Sequence, residues 1–491
     1  MTPGHAAALA VALPALGALG VVLVGRRPNL REGVTLATTG LTFATVLGLV
    51  PAVLAGQRPG LELVEFLPGV ALAFEVEPLG LLFGLVASGL WIVTALYGIG
   101  YLRGLREQHQ TRFHACFALA ISGALGLAFS RNLATLFLFY EAITFSTYPL
   151  VTHHGTPEAV RAGRVYLGIL VGTSVTFFLL AILWTWRLSG CLEFQPGGFL
   201  AGTAGSTALA LLLALYVFGI GKAAIMPFHR WLPAAMVAPT PVSALLHAVA
   251  VVKAGVFSIL KIAIYVFGID FLRETGISEW MMYAASATIL IASIIAIRED
   301  NLKARLAYST ISQLSYIVLG TALATSSGVL GAGMHIVMHA MGKITLFFCA
   351  GAIYVAAHKT EISQIDGIGR SMPFTMFAFF AASLSVIGLP PFGGMWSKWY
   401  LALGAAEGHH LLFLGVLMAG SLLSIGYLMP VVVRAFFREP EPGRDGPDAG
   451  PRIREAPLLC VVPLCVTAAG CLALFFFAPA IRSMLLPITG G

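Results

Sequence analysis

Charge is scarce in this chain. Of 491 residues only 22 are acidic and 29 basic, so charged side chains make up 10% of the sequence while hydrophobic ones make up 58%. Soluble domains carry roughly 25% charged residues, so that class is excluded and the chain reads as an integral membrane protein. Cysteine is also sparse and unpatterned: Cys116, Cys191, Cys349, Cys460, Cys465 and Cys471 form no CxxC pair and no Cys/His ligand spacing. Most lie in apolar runs, where Cys behaves as a small hydrophobe, so neither an iron–sulfur cluster nor zinc is indicated and no cofactor is expected. Long polar stretches are missing too, the longest being the Pro/Gly-rich loop from Arg438 to Glu455, so no soluble domain is expected. The net charge of +7 comes from arginines scattered among short loops, a pattern that points to a membrane and not to nucleic acid. The first apolar run, Ala6 to Val24, has no basic segment before it and reads as a retained helix, not a cleaved signal.

What the chain has is apolar runs of membrane-spanning length, about fourteen of them. They fall near 6–24, 34–55, 78–101, 113–130, 133–152, 165–187, 207–232, 242–268, 279–297, 303–323, 328–357, 373–404, 411–434 and 457–478. The expected fold class is therefore an all-α integral membrane protein. Alternate loops should then differ in Lys and Arg. Loops after odd-numbered helices hold 19 basic residues and those after even-numbered helices hold four, Arg58, Arg131, Arg187 and Arg273. A helix missed midway would destroy that asymmetry, so it supports the count and places both termini on the outer face.

Five of the seven lysines, Lys222, Lys253, Lys261, Lys343 and Lys398, lie inside these runs. A central ammonium costs roughly 2.5–3.5 kcal/mol on insertion scales, so a row of them reads as functional. A faint internal repeat organises two of them. Asn132-Leu133 opens helix 5 and Asn301-Leu302 opens helix 10, an alignment that sets Glu141 opposite Thr310 and Ser146 opposite Ser315. Lys222 and Lys398 then fall at similar distances downstream, each in a helix interrupted by proline: Pro227 in the first, Pro390 and Pro391 in the second. Each proline frees a carbonyl about four residues upstream, near Ala223 and near Val386 and Ile387. Broken helices at matching places in duplicated five-helix units are a transporter signature; paired kinks of no functional consequence are the alternative.

Glu141 is the one acid in the middle of a span, and Lys222 is its natural partner. A pair that opens and closes can alter protonation at a neighbouring site; a static ion pair between helices is the other reading. His335, His339 and Lys343 recur at i, i+4 and i+8, on one face of helix 11 over about 12 Å. His247, Lys253 and Lys261 continue the polar series in helix 8. Neutral imidazole accepts and donates a proton in one step, so these groups read as stepping stones. A cation one turn beyond the two histidines argues against a divalent metal, and no metal site is expected. Lys261, two turns from its helix end, reads as a snorkelling side chain.

The stretch KAAIMPFHRWLPAAMVAPTPVSALLHAVAVVKAG, the helix 5 glutamate, NLKARLAYSTISQLSY, the HxxxHxxxK face and LPPFGGMWSK together resemble the antiporter-like subunits of respiratory complex I and of Mrp cation/proton antiporters. The resemblance covers about residues 75 to 435. It implies two inverted five-helix repeats, helices 4 to 8 (113–268) and 9 to 13 (269–436), each holding a half-channel with broken helices 7 and 12. Residues 1–112 would carry helices 1 to 3, and 437–491 a loop and helix 14. It further implies that Glu141 and Lys222 form the coupling pair, that Lys253 leads toward His335, His339 and Lys343, and that Lys398 faces the outer exit.

A lysine at the helix 12 position resembles the Mrp subunits and the distal complex I pump, and the length resembles the smaller, D-type Mrp subunit. The expected function is thus proton translocation within a multi-subunit Mrp-type Na⁺/proton antiporter of the prokaryotic inner membrane. The expected partners are other membrane subunits, and the chain is expected to be no enzyme by itself. A proton-pumping arm of a complex I-like NADH:quinone oxidoreductase or membrane-bound hydrogenase is the first alternative, and a non-conducting scaffold the second.

Overall fold

The computed structural model describes residues 2–67, 69–245, 250–439 and 453–489. Helices α1 (Pro3–Leu23) and α2 (Pro28–Leu47) precede an antiparallel hairpin, β1 (Gly60–Leu67) and β2 (Val70–Glu75), in which Gly60 pairs with Glu75. The span count places only a loop there. The hairpin is held from below: Asn132 Nδ2 donates to Ala71 O (2.7 Å) and Arg131 N to Ala73 O (3.0 Å).

Then follow α3 (Pro78–Gly104), α4 (Gln110–Ala128), α5 (Leu133–Val151) and α6, which runs from Pro157–Thr173 through a π turn at Ser174–Phe178 into Leu179–Ser189. Next come α7 (Ser206–Gly219), α8 (Val251–Ile262), α9 (Glu279–Arg298), α10 (Leu302–Ala322) and α11 (Ser326–Ala357). The chain ends with α12 (Pro373–Ile387), a second half-helix Gly394–Glu407, α13 (Leu411–Phe437) and α14 (Leu458–Leu485).

Among the described residues nine helices are long and apolar enough to cross a membrane, or ten if the bent pair Val251–Phe267 with Ile269–Thr275 counts as one span. The count of about fourteen is not reached by that criterion, for physical reasons. Helix α5 carries Glu141 and several threonines, and α10 carries Lys303, Arg305 and several serines. Helices α7 and α12 stop after 14 and 15 residues. Helix α11 runs through the middle, with 94% of its spanning window buried, whereas α1 and α13 bury 33% and turn apolar faces such as Leu16, Leu411 and Leu422 outward.

The repeat is visible at its caps. Asn132 accepts from Thr135 N (2.8 Å) to start α5, and Asn301 accepts from Ala304 N (3.1 Å) to start α10, satisfying amides that a helix end leaves unpaired. Each cap also forms an isolated antiparallel bridge, Asn132 to Glu193 and Asn301 to Glu361. The two caps lie at opposite ends of the bundle. Asn132 sits under the hairpin, at the far end of α4 from Glu107, while Asn301 lines the same cavity as Glu107. The repeats are therefore inverted.

Candidate functional site

In the first repeat the break comes earlier than Pro227. Helix α7 ends at Gly219, a single 3₁₀ turn spans Gly221–Ala223, and Ala224 is left-handed with φ +56°. Lys222 thus stands in the break itself and is fully buried. Its Nζ donates to Tyr140 O (2.8 Å) and Thr144 Oγ1 (2.5 Å) and lies 3.2 Å from the centroid of the Tyr140 ring. Its backbone N–H donates to Tyr140 Oη (3.1 Å). Helix α8 packs directly on this turn at Gly255, where any Cβ would strike the backbone of Lys222 and Ala223. Glu141 is not bonded to the lysine: both carboxyl oxygens are buried without a hydrogen-bond partner. The expected coupling pair is open, with the lysine held by neutral oxygens.

At the centre, Lys253 on α8 and His339 on α11 meet at 2.7 Å (Nζ to Nδ1). The His339 and His335 rings stack at 5.6 Å with 13° between planes, which realises the expected i, i+4 face. His335 Nδ1 continues to Ser397 Oγ (2.8 Å), the neighbour of Lys398, and its ring stacks on Tyr316 of α10 at 5.8 Å. Lys398 Nζ lies over that same tyrosine ring at 4.8 Å and donates to Ser421 Oγ (3.1 Å) and to Ile387 O (3.0 Å). That carbonyl is one of the two that the proline pair was expected to free. The lysine reaches back from the second half-helix to cap the first.

Lys343 departs from the expected series. It bonds neither histidine; its Nζ donates sideways to Ser309 Oγ (2.6 Å) and Leu306 O (3.2 Å) of α10. Lys261 departs further, and the snorkelling expectation is wrong. It is 1% exposed and its Nζ lies 3.4 Å from Glu77 Oε1, with Ser130 O at 2.9 Å and Ala128 O at 3.3 Å. Glu77 in turn caps α3, accepting from Leu79 N (2.6 Å) and Gly80 N (2.9 Å), and takes a bond from Tyr265 Oη (3.0 Å). A lysine snorkels when its end of the helix is wet; here the hairpin and Phe194 close that end over a carboxylate already in place. His247 lies outside the described residues.

Tyr140, Thr144, Ser309, Tyr316, Ser397 and Ser421 were not singled out from sequence, yet they hold three of the lysines, Lys222, Lys343 and Lys398, and the His335 imidazole. Their signal was a polar face in otherwise apolar helices, for example Ser309, Ser312, Gln313 and Tyr316 along α10, all buried. Among the described residues no group of three or more His, Cys, Asp or Glu could hold a metal. Amines, imidazoles and hydroxyls within hydrogen-bond reach can pass protons, because each can act as donor or acceptor according to its state.

Residues 130–424 match the family described as NADH:quinone oxidoreductase/Mrp antiporter, transmembrane. Over its length the chain is similar to NADH-quinone oxidoreductase subunit N of Desulforudis audaxviator, at 32% identity covering 98% of this chain and 97% of that one. It is 29% identical to NADH-quinone oxidoreductase subunit L of Mycobacterium tuberculosis, covering 99% of this chain and 78% of that one. Its fold superposes on a chain of the Mrp complex from Dietzia sp. DQ12-45-1b with a TM-score of 0.87 at 24% identity, covering 99% and 97% of the two chains.

Proposed function

This chain belongs to the NADH:quinone oxidoreductase/Mrp antiporter transmembrane family, and on that premise we propose that it carries protons along a relay of its own buried side chains. It is a membrane-arm, antiporter-like subunit of an Mrp or complex I-like assembly. The observation that carries the relay is the connected series Lys253, His339, His335, Ser397 at 2.7 to 2.8 Å steps joined by one ring stack, ending beside Lys398. Lys222, one helix contact away at Gly255, supplies the first repeat's titrating group, and Glu141 is a carboxylate free to close on it. Lys343, on α11 but bonded to Ser309 of α10, stands beside the series and feeds it from the side.

The parent machine is read as an Mrp-type monovalent cation/proton antiporter, in which a second cation such as Na⁺ moves against the proton. A second reading, a proton-pumping arm of a complex I-like oxidoreductase, is favoured by the full-length similarity to a subunit N. Co-purification separates them: small multi-pass partners support the antiporter, and iron–sulfur partners support the redox machine. The relay is tested in vesicles holding the assembled complex. Lys222→Ala and Glu141→Ala are each expected to abolish proton-coupled flux, and undiminished flux in both would sink it.

A further inference from the structure

Where the repeats meet, on the face that carries the basic loops, the structure has a cavity of about 410 Å³. Its rim holds Glu107, His154 and Glu158 from the first repeat's side and Lys303 and Lys359 from the second's. Tyr101 and Thr240 line its inner part. The rim is a connected titratable group: Glu107 Oε2 lies 3.7 Å from His154 Nδ1 and 3.9 Å from His153 Nε2. Arg112 anchors the loop by donating to His153 O (2.8 Å), and Lys303 Nζ is turned to Ala238 O (2.8 Å). The two imidazoles differ. Burial, then the neighbouring Arg112 and His154, push His153 down to about 4, so it stays neutral at ordinary pH. The side chain of His154 is 36% exposed.

The cavity also has a direction. Leu302, Lys303 and Ala304 line it on α10, and Ala350 and Tyr354 line it on α11. On α10 Arg305 follows, its guanidinium taken up by the carbonyls of Glu299, Tyr427 and Ile297. Ser309 lies about 7 Å further along the axis than Ala304, and on α11 Lys343 lies about 10 Å below Ala350. Those two groups are bonded to each other at 2.6 Å. The first deep lysine below the floor is therefore Lys343, and neither Lys222 nor Lys253 borders the cavity. Between floor and lysine stands Tyr97, a turn deeper than Tyr101, stacked on Phe348 at 4.0 Å and donating to its carbonyl at 2.9 Å.

We propose that this cavity is a proton-collecting vestibule for Lys343, in which Glu107 and His154 take protons from water or from small buffer acids and Tyr97 with Phe348 forms the dry layer that they must cross. The second repeat thus has its own uptake, separate from Lys222. In each transfer a hydronium or a buffer acid loses one proton to the Glu107 carboxylate or the His154 imidazole. That group passes it to cavity water, and neutral Lys343 takes it up as an ammonium. The inference rests on the relay proposed above and deepens it.

The test measures initial proton flux of the assembled complex in vesicles at low buffer concentration, for Glu107→Gln with His154→Ala and for Lys343→Ala. Loss of a charged collector is expected to slow uptake by about tenfold, and added imidazole buffer, which delivers protons to the floor directly, is expected to restore it. Lys343→Ala is expected to abolish flux with no recovery by buffer. A collector variant with unchanged flux, or a loss that imidazole leaves in place, overturns the vestibule while an effect of Lys343→Ala keeps the relay. Full flux in Lys343→Ala overturns its place in the relay, and the vestibule with it.

Discussion

Two kinds of buried lysine stand side by side in this molecule. Lys261 faces a carboxylate at 3.4 Å that is itself fixed by two backbone amides and a tyrosine hydroxyl. Lys222 and Lys343 are equally deep and Lys398 is half-buried, yet their polar contacts are carbonyls and hydroxyls, and Lys253 meets an imidazole. The difference is one of replaceable protons. An ammonium beside a fixed anion is one half of a structural pair, whereas a hydroxyl or imidazole serves an amine in either state, donating to it when neutral and accepting from it when charged. Burial alone therefore does not mark a relay lysine; the chemistry of its partner does.

The comparison breaks most visibly if Lys261 is truncated. Lys261→Met leaves Glu77 buried without a cation, and removing one partner of such a pair costs about 3–5 kcal/mol. The thermal midpoint of the purified complex is expected to fall sharply, and Glu77→Gln added to the same variant is expected to recover part of it. Lys398→Met leaves only a carbonyl and a serine behind and is expected to lower the midpoint far less. Equal losses in the two variants would erase the distinction.

The comparison sharpens if a relay lysine is converted into the other kind. Thr144→Asp places a carboxylate where the threonine hydroxyl now meets Lys222 Nζ at 2.5 Å. The complex is expected to assemble with its midpoint held or raised, while proton flux falls by about a hundredfold, the scale of losing a positioned proton-transfer group. Ser309→Asp does the same for Lys343, whose hydroxyl partner lies at 2.6 Å. Flux that survives a locked Lys222 would mean that its proton is never exchanged.

Much of this was legible from residue order, and the exceptions share a cause. The lysines, Glu141, the HxxxHxxxK face and the repeat with its paired Asn-Leu helix openings follow from periodicity and from the cost of charge in apolar runs, while the inversion of the repeat was implied by the family resemblance. The Ile387 carbonyl that Lys398 captures follows from proline chemistry alone. What sequence could not resolve was pairing across helices. Glu77 looks like an ordinary cap at a membrane edge until the hairpin folds over it, and Lys261 then has a partner from 184 positions earlier in the chain. Lys343 shares a helical face with two histidines, but the choice between them and Ser309 depends on how α10 packs against α11. The end of α7 at Gly219 was missed because proline sets an outer limit to a helix, not the point where it stops.

The smallest effects separate ring from hydroxyl at the two tyrosines beneath the relay lysines. Tyr140 Oη accepts from the Lys222 backbone at 3.1 Å, and Tyr316 Oη donates to Leu417 O at 3.0 Å with Ser421 Oγ at 3.5 Å. Tyr→Phe therefore removes one hydrogen bond at the first site, the Leu417 bond and the long Ser421 contact at the second, and keeps the aromatic face at both. About 1 kcal/mol of stability is expected to go in each case. Flux is expected to stay within about twofold, since that bond does not involve either ammonium. Tyr316→Leu removes more: the face that His335 stacks on and that Lys398 sits over. A cation held at 4.8 Å from a ring centroid in a dry site draws about 0.5–2 kcal/mol from it, so leucine is expected to slow flux several-fold where phenylalanine does not. If phenylalanine and leucine behave alike at position 316, the hydroxyl is the working part, and the proton passes from His335 to Lys398 through Tyr316 Oη and Ser421 instead of through Ser397.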